Sequence, residues 1–122
     1  MRVKRGDIVL VDFPYSDRSS SKVRPALVVQ ADTWNERLED TILALITSSN
    51  RRRLGATTQY FIELSTNDGI QTGLKFDSIV QCENLLTYKT DLLLRVLGSL
   101  SDTEMTKIDR CLDAALGITR VT

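Results

Sequence analysis

A chain of 122 residues, 42% hydrophobic and 26% charged, has the size and make-up of a single globular domain, 1–122, that buries its own core. No apolar run approaches the roughly 18 to 20 residues that cross a bilayer, and Asp7 and Asp12 interrupt the basic start MRVKRGDIVLVDF where a signal peptide would stay apolar, so a cytoplasmic protein without membrane contact is expected. Sixteen Lys/Arg balance sixteen Asp/Glu, which argues against nucleic-acid binding by bulk charge, and the absence of histidine beside only two cysteines excludes Cys/His zinc sites and favours chemistry with no metal or other cofactor.

In chain order, Ile8 to Phe13 (IVLVDF) predicts a first strand, stopped by Pro14. Tyr15 to Lys22, rich in serine and charge and without period, predicts a loop. Ala26 to Val29 predicts the return strand; Pro25 suits its first position and biases Arg24 into an extended, stiff backbone. After the polar connection ADTWNERLED, the run Thr41 to Thr47 predicts a third strand. It ends in a cluster of hydroxyls and guanidiniums: Thr47, Ser48, Ser49 and then Arg51, Arg52 and Arg53. Further strands are expected over Tyr60 to Leu64, Ser78 to Glu83 and Arg95 to Leu97.

The C-terminal helix carries the plainest start and stop. Ser101 and Glu104 form a capping box, Leu100 and Met105 a hydrophobic staple, and Gly117 a stop. Between them Met105, Ile108, Cys111, Leu112, Ala115 and Leu116 fall at spacings of three and four on one apolar face. Short strands around one packed helix give an α+β class, mainly β, as a small barrel. Cys82 and Cys111 read as small apolar residues. Charge is uneven: residues 1–53 hold ten Lys/Arg against seven Asp/Glu, the rest six against nine, so a local basic groove is compatible with a neutral chain.

Five blocks, RGDIVLVDFP, KVRPALVVQAD, ILALITSS, DSIVQCENL and VLGSLSDTEMTKIDRCLDAALGI, resemble in order and spacing the MazF/PemK family of toxin endoribonucleases over nearly the whole chain. The resemblance implies an SH3-like barrel with the C-terminal helix packed on it. It also implies a homodimer, metal-independent cutting of single-stranded RNA, and a cognate antitoxin whose acidic, disordered tail silences the toxin. Matched position by position, the family's catalytic arginine falls on Arg24, its catalytic threonine on Thr47 and the acidic residue of the PemK branch on Glu83. Gln81 stands where that branch has a second arginine, and the histidine that some members carry in the first loop has no counterpart.

The chemistry suits these residue types. RNA can be cut by its own 2′-hydroxyl, so a protein need only align the chain, handle protons and stabilise charge on the phosphate. Arg24 offers paired, charge-assisted hydrogen bonds to phosphate oxygens, Thr47 adds a hydroxyl, and Glu83 is the candidate base. Ser48, Ser49, Gln81, Lys22 and Arg51 to Arg53 are candidate RNA contacts, chiefly to flanking phosphates. Base recognition is expected from the Tyr15 to Lys22 loop and from around Trp34, although Trp34 equally fits a core or a dimer interface. Two alternatives stand beside this reading. One is a gyrase-poisoning toxin of the same fold, which depends on a C-terminal tryptophan, whereas this chain ends GITRVT. The other is a catalytically silent binding homologue, against which the intact Arg24 and Thr47 speak.

Overall fold

The computed structural model describes residues 2–14, 21–48 and 56–119. Six strands, β1 Asp7–Pro14, β2 Ser21–Val28, β3 Asp40–Ser48, β4 Gln59–Ile62, β5 Ser78–Lys89 and β6 Arg95–Ser99, pair in the order β4-β5-β3-β2-β1-β6. All described pairings are antiparallel. Short helices α1 (Asp32–Arg37) and α2 (Asn67–Gln71) interrupt the strands, and α3 (Asp102–Leu116) closes the chain. The expected mainly-β fold with a packed C-terminal helix is what forms, the sheet curling into a half-barrel whose edges are β4 and β6.

Both faces of the sheet are buried, which is why IVLVDF reads as a continuous apolar run rather than an alternating one. Ile8, Leu27, Ala44, Ile46 and Val80 face α3, which contributes Met105, Ile108 and Cys111. The alternate residues Val9, Val11, Ala26, Val28 and Leu43 gather with Leu93 in a second core. The strand period of two divides one run of sequence between two cores.

Helix α3 follows its sequence signals. Ser101 Oγ accepts from Glu104 N at 3.2 Å, Leu100 and Met105 lie in the same core, and Gly117 ends the helix at φ +71°. Leu116 departs from the expected face and is 58% exposed, since the helix end has passed beyond the sheet it covers. Arg5 ties this helix to the sheet: its Nε donates to Val29 O at 2.9 Å and its Nη2 pairs with Asp109.

Three departures from the sequence reading bear on the site. β2 begins at Ser21, not Ala26, because β1 stays extended to its last residue and pairs with it throughout, Val11 opposite Arg24 and Phe13 opposite Lys22. Lys22 is therefore a strand residue. β5 runs six residues past Glu83, around a register shift opposite Ala44 and Leu45. The connection 31–40 is folded on Asn35, whose Oδ1 accepts from Gln30 Nε2 (2.9 Å) and Thr41 Oγ1 (2.7 Å) while its Nδ2 donates to Gln30 O (3.0 Å). Among the described residues, no helix is long and apolar enough to cross a membrane.

Candidate active site

The site lies where two strands part. β2 and β3 pair only over Ala26–Val28 and Leu45–Leu43. Pro25, with no amide hydrogen to give a ladder, comes immediately before the last paired residue. Beyond it the start of β2 continues against β1 alone, while the end of β3 continues against β5, Thr47 opposite Ile79 and Ser48 opposite Ser78. Arg24 stands two residues before Ala26 and Thr47 two residues past Leu45, so the strand period sets both on the same face, across the gap. Both are half-buried.

The gap opens into a groove of about 470 Å³. Lys22, Arg24 and Pro25 line it from β2, and Thr47 and Ser48 from β3. Arg95 and Leu97 reach it from β6, and Lys75 and Phe76 from the loop between α2 and β5. Leu10 pairs with Pro25 on one side and Arg95 on the other, which explains how a residue near the sheet edge joins one from β2. Four cationic residues thus border one cavity, and none of its described lining residues carries a carboxylate or an imidazole. A groove so lined favours a polyanion, and the half-burial of Arg24 strengthens its hold on one by displacing water, while Lys22, Lys75 and Arg95 are exposed.

The structure brings together Lys22, Arg24, Thr47 and Ser48. It does not bring Glu83 and Gln81 to the same lining. Gln81 sits in mid-sheet, opposite Leu45 and Gln59. Glu83 lies four residues along β5 from Ile79, Thr47's partner, about 13 Å at the ordinary strand rise. Its carboxylate is held there by Thr58 Oγ1 at 2.9 Å and Gln59 Nε2 at 2.7 Å. Trp34, 50% exposed, belongs to α1 at the opposite end of the β2–β3 pair and does not line the groove. Ser49, Arg51, Arg52, Arg53 and residues 15–20 of the first loop lie outside the described residues.

Sequence reasoning missed Lys75, Phe76 and Arg95. The signal for the first two was a basic–aromatic pair in a glycine-punctuated loop, TGLKFDS; for Arg95, only the topology could show it. Cys82 and Cys111 are buried free thiols in the α3 core, away from the groove. Burial, with neighbouring Cys111 and Glu83 adding to it, pushes the Cys82 thiol up to about 12, and burial raises Cys111 as well. Neither is a ready nucleophile. Among the described residues no group of three or more His, Cys, Asp or Glu side chains is placed to hold a metal ion.

Comparison with known proteins identifies the family and the shared fold. Residues 4–116 match a family described as PemK-like, MazF-like toxin of type II toxin-antitoxin system. The chain is 30% identical over 119 residues to endoribonuclease EndoA of Bacillus subtilis, covering 97% of each. It is 29% identical over 117 residues to endoribonuclease MazF of Staphylococcus epidermidis, covering 95% of this chain and 92% of the relative. Its fold is shared with a mycobacterial endoribonuclease solved in complex with its cognate antitoxin, at a TM-score of 0.78 and 24% identity over 98% of this chain and 99% of the other.

Proposed function

The chain belongs to this family of type II toxins, and we propose that it is an endoribonuclease that cuts single-stranded RNA through the RNA's own 2′-hydroxyl, with Arg24 and Thr47 as its catalytic residues. The observation that carries the proposal is the four-cation groove in which Arg24 faces Thr47 across the opened β2–β3 pair. The 2′-oxygen bonds to phosphorus, the 5′-oxygen leaves, and negative charge collects on the two remaining phosphate oxygens. The planar guanidinium of Arg24 donates to those oxygens in parallel, and the Thr47 hydroxyl donates to the same phosphate. Lys22, Lys75 and Arg95 hold neighbouring phosphates, and Ser48 adds a hydroxyl at the strand end.

With neither carboxylate nor imidazole in the described lining, the 2′-proton passes to solvent, which also protonates the departing 5′-oxygen. The products are a 2′,3′-cyclic phosphate and a 5′-hydroxyl. A groove of this sign also suits the acidic, disordered tail of a cognate antitoxin, which would exclude RNA by occupying it. A homodimer completes the proposal.

The test is Arg24→Ala against Arg24→Lys, read as kcat/KM on single-stranded RNA with circular dichroism to check folding. Loss of an oxyanion donor costs about a hundred- to a thousandfold, and lysine should rescue poorly because an ammonium cannot make the paired bonds. A loss below tenfold in Arg24→Ala would remove the arginine from the mechanism. Retained RNA binding without any cleavage by the unaltered protein would leave a binding module.

A further inference from the structure

A phenylalanine that is 70% exposed needs an explanation when the loop carrying it is anchored on both sides. Phe76 lies in the loop between α2 and β5, on the groove wall beside Lys75. Thr72, four residues before it, is fully buried; its Oγ1 donates to Gly69 O at 2.6 Å and accepts from Leu74 N at 3.2 Å. Gly73 approaches β6 so closely that a Cβ there would stand 2.2 Å from Leu97 O. On the other side Ser78 Oγ donates to Phe76 O itself at 2.7 Å, and Asp77 Oδ1 accepts from Leu64 N at 2.9 Å. The ring is thus outside because its loop is fixed there.

We infer that Phe76 is a preorganised stacking platform for an unpaired base of the RNA lying in the groove, with Lys75 taking an adjacent phosphate. The inference rests on the endoribonuclease reading and adds to it the residue that receives a base. Single-stranded RNA is gripped by alternating a cationic contact to the backbone with an aromatic face for the bases. Lys75 and Phe76, adjacent in sequence and on one wall, supply that pair. Fixing the ring in advance removes the ordering cost that a mobile loop would pay on binding. Every base has a π-face, so the platform accepts any base and weights the larger purines. Trp34 does not compete for this role, being remote from the groove.

The probe is a mixed-sequence single-stranded RNA with every 2′-hydroxyl replaced by fluorine, which removes the attacking group, alongside an abasic oligomer of the same backbone. Phe76→Ala should weaken the fluorinated RNA by between about 5- and 150-fold, the range that base–aromatic stacking gives on alanine substitution. Phe76→Trp should hold wild-type affinity to within about threefold, whereas Phe76→Leu should resemble alanine, since stacking needs a π-face. The slope of affinity against salt should be unchanged in all three, because no phosphate contact is lost, while Lys75→Ala should flatten it by about one counterion. On the abasic oligomer wild type and Phe76→Ala should bind alike.

Equal affinity of Phe76→Ala and wild type for the fluorinated RNA, restoration by leucine, or an equal loss on the abasic oligomer would each overturn the assignment while leaving the nuclease intact. A wild-type protein that neither binds nor cuts RNA would overturn the endoribonuclease reading, and this inference with it. The melting temperature of Phe76→Ala should stay close to wild type, since the ring is mostly in solvent.

Discussion

Replacing Gly98 by alanine should unfold the protein at a markedly lower temperature and damage the groove together. Gly98 in β6 lies directly against the end of α2: a Cβ would sit 2.2 Å from Gln71 O, 2.6 Å from Thr72 C and 2.7 Å from Thr72 O. Ordinary contact begins at 3.4 Å, so the two backbones must part by 3.4 − 2.2 = 1.2 Å. No flexible side-chain tip is available to yield. Overpacking of this kind costs about 1 to 3 kcal/mol, and contact with backbone places Gly98→Ala at the upper end. The entropy of unfolding, about 2.1 cal/mol/K per residue, over 122 residues is about 256 cal/mol/K. A cost of about 2 to 3 kcal/mol therefore lowers Tm by about 8 to 12 °C. The same displacement moves the segment that carries Lys75 and Phe76, so KM for RNA should rise. Gly117→Ala is the control: its φ is +71° with nothing within 4 Å of the Cβ, leaving only left-handed strain of about 1 kcal/mol or a little more, near 4 °C, and unaltered cleavage. The assay is thermal unfolding by circular dichroism at one protein concentration, with cleavage measured on the same samples. A Gly98→Ala melt no lower than that of Gly117→Ala would refute the close-approach argument.

Glu83→Gln should lower kcat/KM by less than about tenfold, since a general base typically contributes about a hundred- to ten-thousandfold and Glu83 is engaged with Thr58 and Gln59 away from the groove; a hundredfold loss would restore it as the base. Alkaline pH should weaken the fold through Cys82: a thiol raised from 9.0 to about 12 favours the folded state fully below pH 9 and loses that contribution as pH rises toward 12. Urea midpoints at pH 7 and 10.5 should therefore fall less in Cys82→Ala than in wild type, and an equal fall in both would dismiss the thiol as the cause.

Much of the fold was legible because its signals are local. The box at Ser101 and Glu104, the staple of Leu100 and Met105 and the stop at Gly117 act within a few residues of the helix they bound. Strand centres were legible for the same reason, since β-branched runs such as IVLVDF and TILALIT declare buried sheet. Strand ends were not. Ser21 to Pro25 carry no strand pattern of their own and are extended because β1 offers a partner. β5 likewise outruns its apolar segment by pairing with β3 as far as Lys89. The groove divides in the same way. Arg24 and Thr47, which border it, were singled out by residue type and the family resemblance, but Arg95 enters it through a β1–β6 pairing that joins positions some seventy residues apart in sequence from Pro25.

The groove exists because the sheet is continuous on either side of a local failure in it. Had β2 and β3 paired to their ends, the ladder would have closed the space between Arg24 and Thr47. Pro25 stands at the point where pairing stops, yet β1 and β5 keep both freed segments straight, so the opening is rigid. That rigidity is what a transition-state donor requires: a guanidinium on a strand held along one side need not be ordered when charge develops on phosphate. The cations set around it, Lys22 on the same strand, Lys75 on the α2–β5 loop and Arg95 on β6, explain attraction but not selection, since any polyanion, an acidic peptide included, satisfies them. What distinguishes RNA is a 2′-hydroxyl to attack and a base to stack. On the mechanism proposed above, the groove answers the first with Arg24 and Thr47 at the gap and the second with Phe76 on its wall, so that charge would gather the ligand and fixed geometry would decide which ligand reacts.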